Sequence, residues 1–238
     1  MIGALIGDSI AKGRDTIARL LTKTKVSPNS LTICGTITSF AAALVIGFGH
    51  LRIGASVIIL SSMFDMLDGA LAKLSGKITK FGSFLDSTLD RYSGCAILIG
   101  IILHFIFLKN WVVAGFAFSA MVGSILVSYT RARAENVIEK CKVGYWERGE
   151  RITYIIIGLY AGKVDVVMYM LGVLTHFTVL HRILHTYYVT TKGRPLELKN
   201  PILKIIFADF PRKTIPYDII TVIYIIIPFA ALIIEKIR

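Results

Sequence analysis

The chain has 238 residues, of which 55% are hydrophobic and only 18% charged, too little charge to coat a water-facing surface. A mean hydropathy of +0.69 with abundant aromatic and branched side chains excludes a soluble globule, a disordered chain, collagen and a coiled coil. The formal charge of +12, from 27 Lys and Arg against 15 Asp and Glu, lies between apolar blocks and not in a stripe, which suits a membrane orientation signal and argues against nucleic acid as a partner.

Residues 1–25 alternate Ile6, Ile10, Ile17, Leu20 and Leu21 with Lys12, Arg14, Arg19 and Lys23, the spacing of an amphipathic helix lying on anionic headgroups. Ser27-Pro28-Asn29 breaks the chain before the first span. Apolar runs close to the length that crosses a hydrocarbon core follow at Ile33 to Gly49, Ile53 to Ala72, Phe84 to Leu108 and Trp111 to Thr130. From Ile152 to Leu184 the chain is apolar except at Lys163-Val164-Asp165, where a turn splits it into a short fifth helix and a sixth. Ile215 to Ile234, containing Pro216 and Pro228, is one more block of spanning length; a seventh crossing and an interfacial helix both remain open. The expected fold is an all-α integral membrane protein with six transmembrane helices, an N-terminal amphipathic interfacial helix and an extra C-terminal hydrophobic helix. Residues 1–190 form the membrane domain, and 191–238 a basic segment with that last helix.

Orientation follows from Lys and Arg in alternate loops. One side collects Lys12, Arg14, Arg19, Lys23 and Lys25, then Lys73, Lys77 and Lys80, then six between Arg131 and Arg151. Seven more follow in the tail: Arg182, Lys192, Arg194, Lys199, Lys204, Arg212 and Lys213. The other side holds Arg52, Lys109 and Lys163. This asymmetry predicts a multi-pass protein of the cytoplasmic membrane with its N-terminus and charged loops in the cytoplasm. Asp8, Lys12, Arg14 and Asp15 interrupt the first apolar stretch, so insertion is expected to rely on internal spans. Cys34, Cys95 and Cys141 are too scattered for a disulfide framework and read as apolar fillers.

Four carboxylates stand where ionised groups are costly. Asp65 and Asp68 are three apart near the cytoplasmic end of the second span; Asp86 and Asp90 are four apart near the start of the third, so each pair shares a helix face. A loop of about ten polar and small residues would make the two helices antiparallel neighbours and bring all four acids together. Four such charges repel unless cations neutralise them. An all-oxygen set suits Mg²⁺ or Mn²⁺, with a two-metal site as one form of it. Gly69, Ala70, Ala72, Gly82 and Ser83 are small enough either to pack helices closely or to admit a bulky ligand.

Written out, the stretch is Asp65-x-x-Asp68-Gly69-x-x-Ala72-Lys73, eight residues, Gly82-x-x-x-Asp86-x-x-x-Asp90. It resembles the signature of the CDP-alcohol phosphotransferases, membrane enzymes that pass a phosphatidyl-type group from a CDP-linked donor to an alcohol and release CMP. The resemblance implies that Asp65, Asp68 and Asp86 hold the metal at the CDP diphosphate and that Asp90, completing the acidic set, is the general base. It further implies that Gly69, Ala72 and Gly82 line the nucleotide side. Lys73 departs from the usual Arg, keeping the charge but losing the bidentate fork to the diphosphate. Pro28-Asn29-x-x-Thr32 looks like a further family element near the donor, making Asn29 and Thr32 CDP-lipid-binding candidates.

Tyr129-Thr130-Arg131-Ala132-Arg133-Ala134-Glu135 and Glu147-Arg148-Gly149-Glu150-Arg151 look like segments of the phosphatidylinositol phosphate synthase branch of that family. There the positions of Arg131 and Arg151, with a basic residue late in the sixth helix such as Arg182, grip the phosphate of inositol phosphate. Three cations suit a phosphorylated acceptor better than serine or free inositol. The donor would be CDP-diacylglycerol or CDP-archaeol, and the resemblance also implies a homodimer. Two competing readings are a glycerol 3-phosphate acceptor and, from another class, a divalent-cation transporter, although the acids lie at one membrane face and not at the midplane. His104 should lie near the far side, and His176, His181 and His185 read as helix-surface or interface residues. Trp111 and Tyr187-Tyr188 fit the aromatic belts.

Overall fold

The computed structural model describes residues 2–24, 26–196, 198, 204, 207 and 214–237. Lys25, Lys199, Arg212 and Lys213 of the orientation count lie outside them. Every regular element among the described residues is helical, in the order α1 (Ile2–Leu21), α2 (Pro28–Gly47), α3 (Leu51–Leu74), α4 (Lys80–Phe107), α5 (Trp111–Ala134), α6 (Arg148–Ala161), α7 (Val164–Lys192) and α8 (Ile215–Ile237). The chain divides into two compact units, Met1–His104 and Phe105–Arg238.

In the first unit α2 is the central strut. Ser27 caps it by accepting from the Ser30 N–H, and Pro28 fits the first turn, where no backbone donor is needed. Its inward face is mostly small or hydroxylated, with Thr32, Gly35, Thr36, Ser39, Ala42 and Ala43 buried between Leu31 and Ile46. Ile33, Ile37, Phe40, Leu44 and Phe48 point outward. Small residues inside and large apolar ones outside is the arrangement of a helix packed on protein and bathed in lipid. A Cβ at Gly100 on α4 would lie 2.4 Å from the Ala43 carbonyl oxygen, so only glycine permits this approach to α2. Against α3, Ser61 Oγ donates to the Gly35 carbonyl at 2.8 Å, which leaves Ser39 as the donor in the 2.6 Å Ser39–Ser61 hydroxyl pair. Ala18 of α1 is fully buried, while Ile17 and Leu20 stay exposed.

In the second unit α5 and α7 are locked by the same device. Gly123 lies against Thr175, and Gly172 against the Phe116 carbonyl. Ser119 Oγ donates to the Gly172 carbonyl at 2.7 Å, and His176 Nε2 lies 3.1 Å from Ser119 Oγ, so His176 is an interface residue as expected. The predicted turn falls at Gly162, left-handed at φ 69°, followed by Lys163 at the head of α7.

One expectation needs correction. The connection between the second and third spans is residues 75–79, five and not about ten, because α3 runs on to Leu74 and α4 begins at Lys80. Five helices among the described residues, α2, α3, α4, α5 and α7, are long and apolar enough to cross a membrane. The expected short fifth span is α6, whose 14 residues rise about 21 Å at 1.5 Å each, less than a hydrocarbon core of about 30 Å. The C-terminal block is the helix α8.

Candidate active site

The carboxylates take their places from three helix ends in the first unit. Thr32, one turn into α2, donates its hydroxyl to Asp68 Oδ2 at 2.6 Å, and both residues are buried, at 4% and 5% exposure. Asp65 sits one turn earlier on α3, against α2: a Cβ on Gly35 would lie 2.7 Å from its Oδ1. Asp86 and Asp65 both lie within electrostatic range of Asp68. At the start of α4, Gly82 lies beside Asn29, whose Oδ1 would be 3.1 Å from a Cβ there. The Gly82 N–H is held by Thr79 Oγ1 at 2.9 Å. The head of α2, the tail of α3 and the head of α4 therefore converge on one end of the unit. His104 lies beside Gly49, at the opposite end of α2, as its expected place on the far side requires.

Of the donor-side candidates, Thr32 bonds to Asp68, Asp65 and Asp86 lie within electrostatic range of it, and Asn29 meets Gly82. Asp86 and Asp90 are half-buried, whereas Gly69 and Lys73 are exposed. A Cβ on Gly69 would meet nothing within 4 Å, so helix packing does not require this glycine and the space beside it is open. Among the described residues, no three His, Cys, Asp or Glu side chains stand at metal-ligand spacing. The donors nonetheless fit a hard cation in chemistry: all are carboxylate oxygens, and the most buried one is already oriented by a hydroxyl.

The basic candidates form a second constellation in the second unit, around Glu147. Arg131 Nη1 reaches Glu147 Oε1 at 3.1 Å, and its Nε reaches Glu135 Oε1 at 3.1 Å. Arg182, 1% exposed, has its Nη2 3.6 Å from the same Glu147 oxygen. Its Nε donates to the Val143 carbonyl at 3.1 Å and its Nη1 to the Val127 carbonyl. Arg151 is also buried and donates to the Trp146 carbonyl at 2.6 Å. Arg131 alone of the three keeps about a third of its side chain exposed. Desolvation raises the Glu135 carboxyl, but the hydrogen bond and charge of Arg131, the Cys141 N–H and the charge of Arg182 outweigh it and hold Glu135 below the usual carboxylate range. Burial pushes the Cys141 thiol up, in keeping with an inert filler.

Sequence reasoning missed Gly35, which sets the distance between α2 and Asp65; its signal was the small-residue spacing Gly35-x-x-x-Ser39-x-x-x-Ala43. Glu135, Glu147 and Glu150 stand beside the arginines in the sequence as acids able to orient them, and the structure gives that place to Glu147 and Glu135, although the two partners of Glu147 lie 16 and 35 residues away in the chain.

A sequence model described as CDP-alcohol phosphatidyltransferase matches residues 25–191. The chain belongs to that family. Family membership makes it an enzyme and removes the cation-transporter reading. An archaetidylinositol phosphate synthase from Pyrococcus horikoshii is 36% identical over 170 residues, 71% of this chain and 88% of its own length. A phosphatidylinositol phosphate synthase from Mycobacteroides abscessus is 35% identical over 195 residues, 76% of this chain and 87% of its own. The crystal structure of Mycobacterium tuberculosis phosphatidylinositol phosphate synthase with CDP-DAG bound matches at TM-score 0.70 and 31% identity, over 78% of this chain and 98% of that one. The same enzyme in complex with manganese and citrate matches at TM-score 0.70 and 32% identity, over 78% and 93%. The five candidate membrane helices coincide with the family segment to within one residue, and α8 lies beyond it.

Proposed function

We propose that this CDP-alcohol phosphatidyltransferase joins a CDP-linked lipid, CDP-diacylglycerol or CDP-archaeol, to inositol phosphate, releasing CMP and a phosphoinositol phosphate lipid. The observation that carries the acceptor choice is the meeting of Arg131 and Arg182 on one carboxylate, Glu147, with Arg151 bonded to the carbonyl of the preceding residue. A neutral alcohol would leave this density of guanidinium groups without use. Relatives named for inositol phosphate lipid synthesis in both an archaeon and a bacterium support the same reading.

In this reading Asp65, Asp68 and Asp86 hold Mg²⁺ or Mn²⁺, with Asp90 completing the set for a second ion, since four carboxylates exceed the charge of one dication. The bound metal supplies neutralisation of the diphosphate, which makes CMP a better leaving group. Thr32 orients Asp68, Lys73 faces the diphosphate as a point charge, and Asn29, Gly69, Ala72 and Gly82 form the nucleotide side. Asp90 takes the proton of the acceptor hydroxyl as its oxygen bonds to the lipid-bearing phosphorus and the bridging P–O bond to CMP breaks. Arg131 grips the acceptor phosphate, with Arg151 and Arg182 fixing its position and adding charge. Residues 1–190 are the transferase domain, 191–238 an appended segment. The chain is a homodimer in the cytoplasmic membrane, with α1 on the headgroups and its active site facing the cytoplasm.

The test is an acceptor screen with labelled CDP-lipid and purified protein, offering inositol phosphate, glycerol 3-phosphate, serine and inositol in parallel. Inositol phosphate should give the fastest CMP release. Preference for glycerol 3-phosphate would move the enzyme to phosphatidylglycerophosphate synthesis, and preference for a neutral alcohol would overturn the role of the arginines.

A further inference from the structure

The helix α8 lies outside residues 25–191, the family segment, yet its polar side chains bond to the stretch around Glu147. Tyr217 Oη donates to Glu150 Oε1 at 2.7 Å. Tyr145 Oη donates to Thr221 Oγ1 at 2.9 Å, and Tyr154 Oη donates to the Thr221 carbonyl at 3.0 Å. The rings join in as well: Tyr145 lies 5.2 Å from Tyr217, and Trp146 lies 5.1 Å from Tyr224, centroid to centroid. Tyr145, Trp146 and Tyr154 are each 2% exposed, while Glu150, Tyr217 and Thr221 are half-buried, so the α8 bonds start from a buried aromatic base and face the cavity beside it.

What α8 holds is the backbone on both sides of Glu147. Tyr145 and Trp146 precede it, and the Trp146 carbonyl is the acceptor for Arg151; Glu150 and Tyr154 follow it in the first turns of α6. That first turn contains Gly149, a position where a Cβ would meet nothing within 4 Å, so α6 starts on a residue that neither packs nor favours helix. A cavity of about 390 Å³ opens here, with Glu147 and Arg148 on one wall and Tyr217 and Thr221 on the other.

We propose that α8 is a positioning element of the acceptor side: Tyr217 through Glu150, and Thr221 through Tyr145, keep Glu147 and the Trp146–Arg151 contact in register for the phosphorylated acceptor. This rests on the assignment of the acceptor phosphate to Arg131, Arg151 and Arg182. The test uses the full-length enzyme with Tyr217→Phe, Thr221→Val and, as the control for that assignment, Arg131→Gln. KM for the acceptor, KM for the CDP-lipid, kcat and melting temperature are measured for each. Tyr217→Phe and Thr221→Val should each raise the acceptor KM about three- to tenfold, the effect of one lost hydrogen bond passed on to binding, with kcat, donor KM and melting temperature unchanged. Glu150→Gln, which still accepts from Tyr217, should retain the wild-type acceptor KM, and Glu150→Ala should copy Tyr217→Phe. The brace is overturned if the acceptor KM stays at the wild-type value in both α8 variants, or if donor and acceptor constants rise together with a falling melting temperature. In that event a raised acceptor KM in Arg131→Gln leaves the acceptor assignment standing, whereas a silent Arg131→Gln removes the assignment as well.

Discussion

Replacing Arg182 and replacing Arg131 should have unlike consequences, although both reach Glu147. Arg182 is buried, and its Nε and Nη1 hold the Val143 and Val127 carbonyls. Arg182→Gln removes the charged donor from both carbonyls and takes away the buried partner of the Glu147 ion pair. Each bond from a charged donor contributes about 1.5–3 kcal/mol, and breaking a buried pair costs about 3–5 kcal/mol; because the two figures overlap, about 3–5 kcal/mol is the expected total. For a chain of this size that lowers the melting temperature by about 6–20 °C. Arg131 is a third exposed, and pairs of that kind contribute about 0.2–1 kcal/mol to stability. Its loss should instead raise the acceptor KM about ten- to hundredfold, the equivalent of one charge-assisted contact, with kcat retained. The assay is thermal unfolding of both variants in detergent alongside initial rates with the acceptor varied at saturating donor. A wild-type melting temperature for Arg182→Gln, or equal destabilisation by the two variants, would refute the division between a fastening arginine and a gripping one.

Chelation should abolish turnover, and Mg²⁺ or Mn²⁺ should restore it; full turnover in excess chelator would remove the metal from the reaction. Asp90→Asn should nearly eliminate turnover while CDP-lipid binding, measured by equilibrium titration, stays near wild type; a loss of affinity as large as that of Asp65→Asn would contradict its role in proton removal. Thr32→Val removes the hydroxyl that orients Asp68 and should raise the metal concentration for half-maximal activity by about 10–100-fold, which a metal titration of initial rate measures. Glu135 is held below the usual carboxylate range, so its contribution to the Arg131 loop is complete above the pH where a free Glu titrates and drains away as pH falls through its lowered value. Trp146 fluorescence in a Trp111→Phe background should report that acid step, and Glu135→Gln should abolish it; an identical profile with and without the carboxylate would count against the pairing.

The first four spans are legible in the sequence because each is a continuous apolar run, and strong signals punctuate the chain: Ser27-Pro28 before α2, Asn110 before α5, and Gly162 between α6 and α7. Helix ends are harder to read where polar residues continue a helix. Lys80 to Ser83 has the composition of a loop but forms the first turn of α4, which shortens the connection to five residues. The acidic set is legible because an ionised carboxylate within a span is too costly to stand there without a cation or a basic partner. The arginines are harder, since position alone cannot separate an orientation signal from a ligand. Only burial distinguishes Arg182 from Arg131, and burial depends on which segments fold over a residue. The α8 tyrosines are harder still: their partners are remote in sequence, so no local spacing announces them, whereas Glu147 is at least marked as an acid beside the arginines.

The Thr32–Asp68 bond also fixes the direction in which the site can offer hydrogen bonds. A threonine hydroxyl has one proton, and while Asp68 is ionised that proton points at the carboxylate 2.6 Å away. What Thr32 then presents to any other neighbour is a lone pair, able to receive a hydrogen but unable to donate one. The Pro28 carbonyl, 3.2 Å from the same oxygen, offers the proton a second resting place once the Asp68 oxygen is taken by another group. In either position the hydroxyl spends its one proton inside the protein, so Thr32 offers an acceptor at the head of α2 whichever way it turns.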